Sequence, residues 1–198
     1  MERHQLTRIR REPQRRSLTV ETIQHLTPRM LRIGLTSPEL TSFISESADD
    51  HIKLFFPAIG SQSDRPVMRD FTPRSFDTAA GRLVIDFALH DAGPATQWAA
   101  SAKIGDTLQI GGPRGSTVVP DDFDWYLLIG DETALPAIGR RVEELRAGGS
   151  SVHTVLPDSD SRAAFGTDLM DVSTRPSVAR AGYAQGRALV EQLTDFWG

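Results

Sequence analysis

The chain has 198 residues, 39% of them hydrophobic and 24% charged, with a net charge of −4 and no cysteine. That length suits one large domain or two small ones, and the missing cysteine excludes a disulfide scaffold, thiolate metal sites and a cysteine nucleophile. The negative balance argues against a general nucleic-acid binder.

Adding the 16 glycines brings the apolar share close to the roughly 45–50% of globular chains, so a folded core is expected. No apolar run approaches the ~18 residues of a membrane span, and the N-terminus lacks the apolar stretch of a secretory signal. The expectation is a soluble, cytoplasmic protein with no membrane or nucleic-acid partner. Residues 1–16 carry Arg3, Arg8, Arg10, Arg11, Arg15 and Arg16 against Glu2 and Glu12. Such a run can attract phosphates; it reads here as a flexible basic N-terminus.

Residues 18–23 (LTVETI) and 31–35 (LRIGL) alternate apolar and polar side chains and predict strands joined through Thr27-Pro28. Residues 52–56 (IKLFF) form another apolar run, and the turn-rich stretch 60–66 predicts a loop. The run 83–89 (LVIDFAL) predicts a strand. Gly93-Pro94 then opens a short helix over 94–102, because proline suits a first helical position. Residues 104–110 return to strand and Gly111-Gly112-Pro113 breaks it. Five or six strands with Gly/Pro turns predict an antiparallel barrel over 17–120.

The pattern changes near 119–123. Residues 125–129 (WYLLI) read as a continuous apolar strand, 134–146 as a helix with Leu135, Ile138, Val142 and Leu145 on one face, and 152–156 (VHTVL) as the next strand. That predicts a strand–helix–strand unit, the seed of a small parallel α/β domain over 121–198. Residues 157–162 read as a polar loop.

Three segments carry candidate chemistry. In Arg69-Asp70-Phe71-Thr72-Pro73-Arg74, arginines can pair with a pyrophosphate, an aromatic ring can stack on a flavin, and a hydroxyl can bond its polar edge. An edge strand with solvated arginines explains the same composition. In the segment from Asp86 to Trp98, a strand ends at His90 and a helix starts after Gly93, with Ala95 and Thr96 in its first turn. Free amides there form an anion site; an ordinary helix start packing Trp98 is the plainer reading. In Gly130-Asp131-Glu132-Thr133, an apolar strand runs into a helix whose first turn holds the acids, which suits capping. The carboxyl end of a strand in a parallel sheet is also where ligands bind. Neither a G-x-G-x-x-G fingerprint nor a phosphate-binding G-x-x-x-x-G-K-[ST] loop is present. His4, His25, His51, His90 and His153 show no metal-ligand spacing, and no serine sits in a G-x-S-x-G elbow.

Taken together, the three segments resemble the siderophore-interacting protein family, FAD-dependent ferric-siderophore reductases related to ferredoxin reductases. Its R-x-[YF]-[TS]-x-R segment is matched by Arg69, Phe71, Thr72 and Arg74. Its D-F-x-x-H strand end and G-P-A-x-x-W-A helix start are matched by Asp86, Phe87, His90, Gly93, Pro94, Ala95, Trp98 and Ala99, and its G-D-E-T-A-L-P-A-I segment is present unchanged over 130–138. The resemblance implies an FAD-binding antiparallel barrel followed by a nucleotide-binding α/β domain. It implies that Arg69, Phe71, Thr72, Arg74, Asp86, His90, Gly93, Ala95 and Thr96 hold FAD, and that Gly130, Asp131, Glu132 and Thr133 face NAD(P)H. The last fifty residues depart from the family pattern, so a shortened C-terminal domain is expected, with NAD(P)H or a ferredoxin-type protein as donor. The implied activity is reduction of a ferric siderophore by electrons from bound flavin, releasing Fe(II). The alternatives are a flavoprotein serving another acceptor and a non-enzymatic flavin or siderophore binder.

Overall fold

The computed structural model describes residues 4–57, 65–90, 93–166 and 171–197. It divides into two compact units, Met1–Gly148 and Gly149–Gly198, so the expected boundary near 119–123 falls inside the first unit.

Nine strands are described, all in the first unit: β1 (Thr7–Arg10), β2 (Arg15–Thr27), β3 (Met30–Thr36), β4 (Ile52–Phe56), β5 (Val67–Phe71), β6 (Ser75–Asp77), β7 (Arg82–Ala88), β8 (Thr107–Gly111) and β9 (Gly115–Val118). Seven form one curled antiparallel sheet in the order β5-β4-β8-β2-β3-β7-β6. Its edges, β5 and β6, do not meet, so the expected barrel is a half-barrel. Alternation dictates the core. In β4, Ile52, Leu54 and Phe56 are buried while Lys53 and Phe55 face outward. Leu18 and Val20 of β2, Leu31, Ile33 and Leu35 of β3, Leu83, Ile85 and Phe87 of β7, and Leu108 and Ile110 of β8 complete the cluster. Burying an aliphatic or aromatic side chain contributes about 1.5–3 kcal/mol, and the period-two pattern fixes the register.

Helix α1 (Pro94–Ser101) follows β7 after Gly93, whose φ of 133° suits glycine. Buried Ala99 and half-buried Trp98 pack it on the core. Helix α2 (Leu135–Ala147) closes the unit and carries Pro136 in its first turn.

The N-terminal segment departs from the expected flexible arm. Strand β1 pairs antiparallel with β9, Arg10 opposite Gly115. Arg15 stacks its guanidinium 4.1 Å from the Phe55 ring centroid. Arg16 is buried and donates to the carbonyls of Glu39, Gly112 and Ser42. Each arginine gains carbonyl or aromatic partners that composition alone does not reveal. Residues 1–3 of that arm, and 60–64 of the expected loop, lie outside the described residues.

A second correction concerns the expected strand–helix–strand unit. The helix forms, but 125–129 and 152–156 form no strand, and among the described residues no parallel pair exists. A continuous apolar run holds as a parallel strand only when neighbours cover both faces. Here Leu127 and Ile129 are 65% and 82% exposed. Likewise the expected loop 157–162 runs into a helix, α3 (Ser159–Phe165), because Asp158 caps it by accepting from the Ser161 amide at 2.7 Å.

The second unit consists of α3, α4 (Arg175–Ala188) and α5 (Val190–Trp197) with a short 3₁₀ turn at Val172–Thr174. Helices α3 and α4 are joined by Gln185, which accepts from the Asp158 amide and the Ser161 hydroxyl and donates to the Leu156 carbonyl. Among its described residues no apolar side chain is fully buried, and Tyr183 and Trp197 are exposed. No helix among the described residues is long and apolar enough to cross a membrane.

Candidate functional site

The antiparallel register of β4 and β5 places Ile52 opposite Phe71, so His51 and Thr72 leave the sheet side by side. Beside them β7 ends and turns into α1. These ends, with the residues before α2, enclose a cleft of about 590 Å³, within the usual size of a ligand site.

One wall comes from β5. Arg69 is exposed, and among the described residues its one hydrogen bond runs to the Met68 carbonyl. Among the described residues its guanidinium has no carboxylate partner. Neighbouring Asp70 also lines the cleft and pairs with Lys53 at 2.6 Å. The Phe71 ring is half-buried, its centroid 4.6 Å from that of Phe87 and 6.1 Å from that of Phe56, so the core holds one side of it. The Thr72 hydroxyl makes no hydrogen bond among the described residues.

The opposite wall comes from β7 and α1. Asp86 lines the cleft but is only 8% exposed, and Arg32 grips its carboxylate with Nε at 2.7 Å and Nη2 at 2.8 Å. That bidentate bond raises the Arg32 pKa despite the burial opposing it. His90, Gly93, Ala95 and Thr96 follow on the same wall. The Thr96 hydroxyl oxygen accepts from the His90 amide at 3.3 Å, which leaves its proton free to donate. In α1 the Gln97 amide bonds back to the Gly93 carbonyl, and among the described residues the Ala95 and Thr96 amides have no partner and can face a ligand.

The rim at the start of α2 supplies Glu132 and Thr133, just before the helix, and Pro136 in its first turn. Asp131 does not line the cleft. Its carboxylate accepts from the Thr133 hydroxyl at 2.6 Å and the Thr133 amide at 2.9 Å, and those bonds hold it below the usual carboxylate range. Asp131 and Glu132 precede the helix rather than forming its first turn. Gly130 is also off the cleft. A side chain there would overlap the Ala134 methyl, so its glycine serves close packing on α2.

Arg74 has a different partner from the expected one. It lies off the cleft lining and donates to both Glu143 carboxylate oxygens, with Nε 3.9 Å from Asp86. The pairing holds the Glu143 carboxyl below its ordinary value. Gly139 makes room for it: a Cβ there would stand 3.2 Å from Arg74 Nε. Thus the structure brings Arg69, Phe71, Thr72, Asp86, His90, Gly93, Ala95, Thr96, Glu132 and Thr133 together, and leaves Arg74, Gly130 and Asp131 behind the wall.

Sequence reasoning missed His51, Asp70 and Pro136. Only the β4–β5 register reveals His51, since nothing local marks that pairing. No group of His, Asp or Glu able to hold a metal exists among the described residues.

Comparison with known proteins places the chain in a family. The siderophore-interacting FAD-binding domain matches residues 19–64 and 59–117, and the siderophore-interacting protein model matches 123–195. The NADPH-dependent ferric-chelate reductase of Escherichia coli K12 is 39% identical over 153 residues, covering 70% of this chain and 60% of its own. The ferric vibriobactin reductase ViuB of Vibrio cholerae is 30% identical, with 62% and 51% covered. Among solved structures, a siderophore utilization protein from T. fusca superposes with a TM-score of 0.66 at 39% identity, over 71% of this chain and 60% of that one. The ferredoxin reductase of carbazole 1,9a-dioxygenase shares the fold at 16% identity and a TM-score of 0.58, over 70% of this chain and 40% of that one. The chain spans 60% and 51% of the length of these two curated relatives. With both domain models matched in order along its sequence, the chain belongs to the siderophore-interacting protein family.

Proposed function

We propose that the chain binds FAD in the cleft and uses it to reduce ferric siderophores, releasing Fe(II). The observation that carries the reading is the pairing, across one cleft, of the exposed Arg69 guanidinium, with no carboxylate partner among the described residues, with the α1-start amides that have no partner among them. Both favour a pyrophosphate. The cleft fits the rest of the group as well: Phe71 offers an aromatic surface and Thr72 an unbonded hydroxyl.

When bound, the flavin supplies two-electron acceptance from a nicotinamide and one-electron delivery to iron. The chain's residues bind and orient. Arg69, the Ala95 and Thr96 amides and the Thr96 hydroxyl would hold the phosphates, and Phe71, packed on Phe56 and Phe87, would offer the ring an aromatic surface. Overall, one NADPH and two ferric chelates give NADP⁺, a proton and two ferrous ions. No protein nucleophile or iron ligand is required for that transfer.

NADPH is the donor in the name of the Escherichia coli relative, and Glu132 and Thr133 stand on the rim where a nicotinamide would approach. A second reading, in which a ferredoxin-type protein donates, is favoured by the missing strands at 125–129 and 152–156. An anaerobic absorbance scan of the FAD-loaded protein separates them. Bleaching by NADPH and reoxidation by a ferric chelate is the expected result. A flavin that neither NADH nor NADPH bleaches moves the donor to a protein, and a reduced flavin that a ferric chelate fails to reoxidise contradicts the reductase reading.

A further inference from the structure

Arg140 stands one turn beyond Pro136 on α2, so the helix face that Pro136 presents to the cleft is the face Arg140 anchors. Arg140 is 8% exposed. Its Nη1 donates to Ser45 Oγ at 2.7 Å and to the Pro73 carbonyl at 3.4 Å, and its Nη2 donates to the Ser45 carbonyl at 2.8 Å. The guanidinium carbon lies 5.5 Å from the Phe76 ring centroid. Ser45 Oγ in turn donates to Asp50 Oδ2 at 2.9 Å, which also accepts from Ser116 Oγ at 2.7 Å and the Ser47 amide at 3.2 Å.

Three segments in this network adjoin cleft residues. Pro73 follows Thr72, Asp50 precedes His51, and Arg140 follows Pro136. The buried guanidinium and the buried Asp50 carboxylate, joined through one serine hydroxyl, therefore tie three wall segments that are remote in sequence. A satisfied buried polar network rigidifies what it joins. We infer that Arg140 is a positioning residue for the flavin: through Ser45 and Asp50 it sets the spacing between the Thr72–His51 wall and the α2 rim. This inference rests on the FAD-binding reading above.

The test uses the full chain, with FAD affinity from fluorescence titration and the visible circular dichroism of bound flavin as readouts, beside urea unfolding without flavin. Arg140→Met is expected to weaken FAD binding at least tenfold and alter the flavin dichroism. Arg140→Lys, which keeps one donor for Ser45, recovers part of both. Ser45→Ala moves both in the same direction by less. Glu144→Ala, removing the outer partner of Arg140 Nε at 3.0 Å, leaves both unchanged.

Variants that lose only urea stability, with flavin affinity and dichroism of the wild type, overturn the inference. If Arg140→Met does not fold, Arg140→Lys and Ser45→Ala decide it by the same criterion. A wild-type chain that takes up no FAD refutes the functional reading and this inference together; wild-type binding with indistinguishable variants refutes the inference alone.

Discussion

Two arginines five residues apart in one segment have different work, and substitution separates them. Arg69 is exposed and its described bond is to its neighbour's carbonyl, so removing it costs the folded chain little. Bound at a pyrophosphate, it supplies a charge-assisted hydrogen bond of about 1.5–3 kcal/mol, roughly a ten- to hundredfold change in dissociation constant. Arg74, with its side chain 13% exposed, holds Glu143 of α2 and approaches Asp86. Asp86 keeps Arg32 when Arg74 is lost, and Glu143 is 61% exposed, which limits the pair's worth. Arg74→Ala is therefore expected to cost about 1–3 kcal/mol of stability and to weaken FAD far less than Arg69→Ala. Flavin fluorescence titration and urea unfolding on both variants give the comparison. Wild-type affinity in Arg69→Ala, or a larger affinity loss in a normally stable Arg74→Ala, refutes the reasoning.

The remaining expectations reach other parts of the chain. Gly115 has φ +153°, and an added Cβ would overlap the Ile9 carbonyl oxygen; Gly115→Ala should cost about 1–3 kcal/mol and speed amide exchange in β1 and β9 while β3 stays protected. Glu143 and Asp131 both have pKa values depressed below their ordinary 4.5 and 3.8. Their contribution to stability is thus complete above those values and lost as pH falls through the lower folded ones. Urea midpoints should drop between about pH 5 and 3, and Glu143→Gln should flatten part of that drop; an identical profile in the variant counts against the pairing. In hydrogen exchange, amides of α3 to α5 should exchange well before those of β3 and β7, because that unit buries no apolar side chain completely among its described residues. Equal protection would contradict this.

The half-barrel was legible because its strands alternate. Ile52, Leu54 and Phe56 announce a one-sided strand without any tertiary information, and Gly93-Pro94 announces where α1 starts. What sequence could not show depends on distant partners. Strand β1 exists through β9, and His51 joins the cleft through the pairing of Ile52 with Phe71. Apolar content alone misled at 125–129, where a strand needs neighbours to cover it. The motif from Arg69 to Arg74 reads as one flavin-dinucleotide segment, yet α2 claims its second arginine through Glu143. Local pattern gives residue type and spacing; which side chain faces the ligand is settled by what packs behind it.

The central claim is that the cleft between Arg69 and the α1 start holds FAD. Titrating FAD into the purified chain while following flavin fluorescence tests it most directly. The account predicts saturable quenching at one FAD per chain, with FMN, which lacks the pyrophosphate, bound distinctly more weakly. Fluorescence that never saturates, or FMN bound as tightly as FAD, would contradict it.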